Sequence, residues 1–323
     1  MNRRTRVLVE ALRRLPRPET PSERYLAGVR RELPRGMARV LLGPVSPRVS
    51  ITDITVPTTD TLLRARVYRA RRAGDRGRPL VINFHGGGFV MGNLTGADWL
   101  CGQLAARAEV TVVSVAYRLA PEHPAPGPFL DAWTATRWLV ENATLLDADP
   151  LRVTLLGESA GANLAALVAL AGRDRSRAEP GWPSFAGQIL AYPAVDLTLS
   201  SPSIDERADA PMLRRATLAW YGRLYLPQGR PDSLAYDDPQ VSPIFAADHT
   251  DLAPSLIISA GQDPLRDDAR RYAETLRAAG VPTELVGYPD AIHGFLAIPL
   301  LEPDAYPAME RMVAWLGETG SAR

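Results

Sequence analysis

The hydrophobic pattern changes character along the chain. Leu80–Phe84, Val110–Tyr117, Arg152–Leu156, Phe185–Ala191, Ser255–Ala260 and Glu284–Tyr288 are short runs dominated by apolar residues. Runs of this length predict strands, and near-continuous ones predict strands buried on both faces. Between them lie stretches of helical character. Pro128–Glu141 places Phe129, Ala132, Trp133, Thr136 and Leu139 near helical spacing, and Ala160–Ala171 is rich in Ala and Leu. Leu265–Ala279 and Tyr306–Leu316 predict two more helices. Upstream, Ile51, Ile54 and Val56 precede Leu62–Tyr68, which nearly alternates, so further strands are expected there, with a polar turn over Arg71–Arg78. Strands alternating with helices predict an α/β fold: a mainly parallel sheet covered on both faces, with ligands at the carboxyl ends of its strands.

Two segments break this rhythm. Residues 1–48 read as helical, punctuated by Pro16, Pro18, Pro21, Pro34, Pro44 and Pro47. Residues 197–238 carry Pro202, Pro211, Pro227 and Pro231 around an aromatic helix with Trp220, Tyr221 and Tyr225. The expected organisation is an N-terminal helical cap segment (1–48), a core (49–196 and 239–323) and a cap insertion (197–238). No internal repeat is visible.

Composition narrows the function. Hydrophobic residues make up 46% of the 323 and charged residues 23%, as in an ordinary globular protein. The 37 basic and 36 acidic groups leave a net charge of +1, so no overall field exists to hold nucleic acid or an anionic membrane. Every basic group is arginine, which excludes Schiff-base and Ser-Lys chemistry. The arginines are scattered, as a coding bias would leave them. The single cysteine, Cys101, permits no intrachain disulfide. Its setting, Trp99-Leu100-Cys101-Gly102-Gln103-Leu104, predicts a buried place on a helix face. No apolar run approaches the ~20 residues of a membrane helix. In Met1–Leu15, Glu10 interrupts the apolar stretch and Arg13-Arg14 follows, so a folded helix and a cytoplasmic protein are expected rather than a signal peptide.

Four features carry chemistry. Gly157-Glu158-Ser159-Ala160-Gly161 is a G-x-S-x-G between a predicted strand and a predicted helix, the setting of a nucleophile elbow. The turn is sharp enough that a side chain at either glycine would clash, and the helix N-terminus beside Ser159 favours developing negative charge. His85-Gly86-Gly87-Gly88-Phe89 follows the strand Leu80–Phe84; its glycines let backbone amides approach a ligand. No Gly-Lys-Ser/Thr follows, which argues against a phosphate loop. The amides of Gly87, Gly88 and Ala160 are assigned to an oxyanion hole. Of the four histidines, His85 belongs to the glycine loop, His123 lies between prolines in a rigid loop, and His249 lies in a polar run expected to be exposed. His293 remains as the base, placed by a loop after the strand Glu284–Tyr288. Asp263, after the strand Ser255–Ala260, is the expected orienter; Asp267 and Asp268 are competitors that the dipole of the following helix explains. The order Ser159, Asp263, His293 is that of the α/β hydrolases.

With these pieces placed, the chain resembles the hormone-sensitive-lipase-like esterases, bacterial family IV. The matching motifs are His85-Gly86-Gly87-Gly88, Tyr117-Arg118-Leu119-Ala120-Pro121-Glu122, Gly157-Glu158-Ser159-Ala160-Gly161, Asp263-Pro264-Leu265 and His293-Gly294-Phe295. Glu158 stands where the family often carries Asp. The resemblance spans about residue 50 to the C-terminus. It implies the α/β-hydrolase fold with an eight-stranded sheet, a helical cap, no cofactor or metal, and hydrolysis of short- to medium-chain acyl esters. Phe89, Tyr192, Met212, Leu213, Trp220 and Phe295 are candidates for the acyl slot, with packing of the cap as the competing role. Amidase, lactonase, thioesterase and acyltransferase chemistry use the same nucleophile, and plant relatives include non-catalytic receptors; the presence of His293 argues against the latter. The implied partner is a small ester, with no nucleic acid and no stable membrane insertion; a homodimer is compatible with the sequence.

Overall fold

The computed structural model describes residue 10 and residues 22–71, 77–229 and 233–320. Eight strands form one sheet: β1 (Val49–Pro57), β2 (Leu62–Ala70), β3 (Arg78–Phe84), β4 (Thr111–Val115), β5 (Ala148–Glu158), β6 (Gly187–Ala191), β7 (Ser255–Gln262) and β8 (Thr283–Ile292). Their order is β1-β2-β4-β3-β5-β6-β7-β8. β1 and β2 form a hairpin and β2 runs antiparallel to β4. The remaining pairings are parallel.

The nearly unbroken apolar runs become strands because both faces are covered. β4 and β6 are buried at every position. Successive residues serve opposite layers, as a pleated strand requires. Leu80, Ile82 and Phe84 join one core with Ala132, Leu139, Leu164 and Tyr272, while Val81 joins the other with Trp99, Leu104, Met312 and Trp315. The first layer is covered by helices Gly127–Glu141, Ala160–Ala178 and Arg266–Ala278; the second by Leu94–Arg107 and Ala305–Gly320. In chain order, with Glu23–Val29 as α1 and Arg35–Leu41 as α2, these are α4, α5 and α8 for the first layer and α3 and α9 for the second; α6 (Pro202–Glu206) and α7 (Arg215–Tyr225) lie between β6 and β7.

Three differences from the expected elements have physical causes. α3 extends on both sides of the helix face expected at Trp99–Leu104; it is buried at most positions, so no polar stripe marks its ends, and Asn93 caps it by accepting from the Gly96 amide at 3.1 Å. α5 runs past Ala171 because its last turns are polar: Arg175 pairs with Glu179 and lies 4.1 Å over the Trp182 ring. β8 continues past Tyr288 through a register shift opposite β7, so His293 follows the strand directly instead of a loop. In the N-terminal segment the described helices are α1 and α2. The expectation for Met1–Leu15 falls almost wholly, and those for Pro16, Pro18 and Pro21 wholly, outside the described residues, as does most of the turn over Arg71–Arg78. Cys101 is fully buried. No helix among the described residues is long and apolar enough to cross a membrane.

Candidate active site

Ser159 sits where β5 passes into α5, with φ 56° and ψ −118°, a torsion that side-chain-bearing residues rarely adopt. Holding it costs on the order of 1–3 kcal/mol. The surrounding backbone fixes it: its amide donates to Ala191 O at 2.9 Å, and its carbonyl accepts from Ala162 and Asn163. The flanking glycines are sterically required. A β-carbon on Gly157 would stand 2.1 Å from Gly161 O, and one on Gly161 would stand 2.0 Å from Phe84 O. The elbow is thus wedged against the end of β3.

Asp263 follows the last residue of β7 and is fully buried. One carboxylate oxygen accepts from the Leu265 amide at 2.9 Å; the other lies 2.7 Å from His293 Nδ1. His293 Nε2 lies 2.9 Å from Ser159 Oγ. In the tautomer that serves both contacts, Nδ1–H donates to Asp263 and the serine hydroxyl donates to Nε2. Three segments separated by 104 and 30 positions therefore form one hydrogen-bonded line at the carboxyl edge of the sheet.

The glycine loop after β3 lies beside it. His85 is buried, stacks on Tyr117 with ring centres 4.4 Å apart, and donates from Nδ1 to Gly86 O at 2.8 Å. Burial lowers its pKa to about 4, so it is neutral near pH 7. The Tyr117 hydroxyl donates to His85 O at 2.7 Å. Gly87 has φ 127° and its absent β-carbon would meet Met91 O at 2.2 Å. Over Gly88 lies the Tyr221 ring, 2.3 Å from where a β-carbon would stand.

A cavity of about 390 Å³ opens onto Ser159 and His293. Residues 22–41 contribute Tyr25 and Val29 to its wall, and residues 197–238 contribute Leu197, Leu199, Met212, Leu213, Leu218, Tyr221 and Tyr225. Five non-glycine residues on its wall, Phe89, Ser159, Tyr192, Leu199 and Met212, hold φ between 37° and 65°. Backbone strain gathers where the cavity is shaped.

A family model described as the alpha/beta hydrolase fold matches residues 81–297, which include Ser159, Asp263, His293 and the glycine loop. The chain belongs to that family. Within it, the chain falls among the hormone-sensitive-lipase-like enzymes and is a serine carboxylesterase. It is 40% identical to esterase LipI of Mycobacterium tuberculosis over 87% of this chain and 83% of that one. It is 34% identical to an ethyl acetate hydrolase of Pseudomonas putida over 76% of each chain. Among solved structures, a hyperthermophilic esterase from the archaeon Pyrobaculum calidifontis superimposes with a TM-score of 0.86 at 34% identity, covering 100% of this chain and 99% of that one.

Within this esterase, the positions expected to form the acyl slot divide. Phe89, Tyr192, Met212 and Leu213 line the cavity. Trp220 and Phe295 do not. Trp220 packs into the larger core, and Phe295 is wholly buried behind Tyr192 and Tyr288, at ring separations of 5.5 and 5.6 Å. A helical signal separates the first case: Leu218, Tyr221, Gly222 and Tyr225 stand at i, i+3, i+4 and i+7 on one face of α7, and Trp220 falls off that face. His249, expected exposed, is buried, its Nε2 2.9 Å from Pro243 O, and burial lowers its pKa. His123 is exposed. Asp268 does not reach His293. It is fully buried at the start of α8, accepting from the amides of Val195 and Asp196 and from Ser201 Oγ, and burial raises its pKa to about 7. Asp267 pairs with Arg266 at 2.8 Å.

Proposed function

We propose that the enzyme hydrolyses short- to medium-chain carboxylic esters through an acyl-enzyme on Ser159. The observation that carries this reading is the unbroken line from Asp263 through His293 to the Ser159 hydroxyl beside a backbone loop of three glycines. His293 takes the serine proton as Oγ attacks the ester carbonyl. The tetrahedral oxyanion rests on the amides of Gly87, Gly88 and Ala160, the last at the N-terminus of α5. His293 then gives its proton to the departing alcohol and activates the water that releases the acid. Asp263 fixes the imidazole tautomer and stabilises the imidazolium.

The apolar wall and the cavity volume of about 390 Å³ support acyl chains of modest length, and a relative named for ethyl acetate hydrolysis points the same way. Residues 22–41 and 197–238 act together as the cap over this cavity. The free, buried Cys101 is in keeping with a cytoplasmic enzyme.

A fluorophosphonate probe tests the nucleophile: labelling of the native enzyme that vanishes in Ser159→Ala is expected, and undiminished labelling of that variant removes Ser159 from its role. A panel of p-nitrophenyl esters from acetate to palmitate tests the substrate, with kcat/KM expected to peak below about ten acyl carbons. Because His293 must be neutral to accept the proton, acidification lowers kcat/KM. A kcat/KM that does not fall on acidification contradicts the assignment.

A further inference from the structure

Glu158 and Tyr192 are buried beside Ser159 and His293, and the steps above use neither. Tyr192 immediately follows β6 with φ 37°, a left-handed torsion unusual for a large side chain. Its hydroxyl donates to Glu158 Oε2 at 2.6 Å. Its ring also lies against Phe295, with centres 5.5 Å apart. Its ring stands edge-on to the His293 imidazole, centres 5.0 Å apart at 61°. Burial raises the phenol well above its ordinary range, so it keeps its proton and remains a donor. The hydroxyl is thus tied to the residue before Ser159, while the ring packs against the turn that carries His293 and Phe295. These are the two turns whose separation sets the 2.9 Å contact between serine and imidazole.

We propose that Tyr192 and Glu158 form a positioning strut that holds the His293 turn at reacting distance from the Ser159 elbow. The proposal rests on the reading of Ser159 as nucleophile and His293 as base. Neither strut residue transfers a proton to substrate; Tyr192 acts on both turns at once, and Glu158 anchors its hydroxyl. Loss of the hydroxyl leaves the cavity wall in place but releases the hydrogen bond that anchors the ring to Glu158. The imidazole is then free to leave the line of attack, and a misplacement near 1 Å costs on the order of 100-fold in rate. Substrate binding depends on the apolar wall, so the loss falls on kcat.

Steady-state hydrolysis of p-nitrophenyl butyrate by Tyr192→Phe, Glu158→Leu and the double variant tests the strut. Each single change is expected to lower kcat at least about tenfold with KM within about twofold. The double variant is expected to lose no more than the more impaired single, because both cut the same connection, whereas unrelated packing defects would multiply. A Tyr192→Phe kcat within twofold of native, or multiplying losses, overturns the proposal. Should Tyr192→Phe fail to fold, Glu158→Gln against Glu158→Leu decides: both remove the carboxylate, only Gln offers the phenol an oxygen, and a kcat for Gln about fivefold above that for Leu is expected. Equal values overturn it. Fluorophosphonate labelling of native Ser159, run alongside, separates the failures. Labelling with indifferent variants removes the strut and leaves the serine chemistry; no labelling removes the reading beneath it.

Discussion

The two sides of the cavity are held by different forces. On the sheet side, Ser159, Asp263 and His293 stand at the ends of β5, β7 and β8, and the elbow is fixed by backbone hydrogen bonds and by contacts that leave no room for a single methyl at Gly161. The opposite side, formed by residues 22–41, 197–229 and 233–238, is joined to the rest by apolar contacts and arginine pairs. Arg30, at the end of α1, donates to Val90 O and Ala120 O and pairs with Glu122; Arg266 pairs with Glu206, which is half exposed. The Phe89 ring stacks on Tyr225 at 3.9 Å. Exposed pairs of this kind contribute about 0–1 kcal/mol each and weaken with salt. One covering contact differs: Arg66, 4% exposed, bonds Asp53 and Asp98 and reaches Glu32 at 3.4 Å, which pins the chain between α1 and α2. The difference predicts that chemistry depends on the rigid side, and substrate choice on a side that opens at lower free energy.

The contrast can be broken from either side. The largest effect is expected from Ser159→Ala, which should lower kcat for p-nitrophenyl butyrate by about 10⁴-fold or more while leaving the thermal midpoint near native. Next, Gly88→Ala forces a left-handed torsion and drives a methyl into Tyr221; a loss of about 100-fold in kcat is expected if its amide is the oxyanion donor proposed above. Acid acts on the sheet side through His85. Its folded pKa of about 4 lies below the ordinary imidazole value near 6.5, so between the two the unfolded chain binds a proton that the native state refuses. Its stabilising effect is therefore full above about pH 6.5 and falls by about 3 kcal/mol as pH drops to 4. Urea unfolding of His85→Gln across that range checks this: the variant's pH slope should be shallower than that of the native enzyme.

Smaller effects belong to the covering side. Tyr221→Ala opens space above Gly88 and should shift selectivity toward bulkier esters by about tenfold in kcat/KM ratios, with kcat for butyrate changed less than about threefold. Raising salt from about 0.1 to 1 M should speed amide hydrogen exchange in residues 215–225 by a few-fold while leaving β5 protected. Equal acceleration in both would show that the two sides open as one unit.

Much of the rigid side was legible in the sequence because it follows from local rules. Continuous Val, Ile and Leu runs specify strands buried on both faces, and Gly157 and Gly161 bracket Ser159 at a spacing that the crowded turn demands. Four histidines, three with other roles, left His293 as the base. The covering side was less legible because its roles depend on packing direction. Trp220 and Tyr221 are neighbours in sequence, yet one packs into the core and the other covers Gly88. Asp268 and His249 looked ordinary in polar surroundings, and their burial arises from elements distant in the chain, the segment 195–201 and the turn at Pro243. The bond between Tyr192 and Glu158 spans 34 positions and leaves no periodic trace.

The left-handed torsions at Phe89, Ser159, Tyr192, Leu199 and Met212 bear on how such an enzyme changes over generations. Each is a place where relaxing the main chain would make a sturdier fold and a worse catalyst. Laboratory selection for heat resistance alone would drift toward unstrained geometry at these sites, while selection for turnover would keep the discomfort and gain robustness elsewhere.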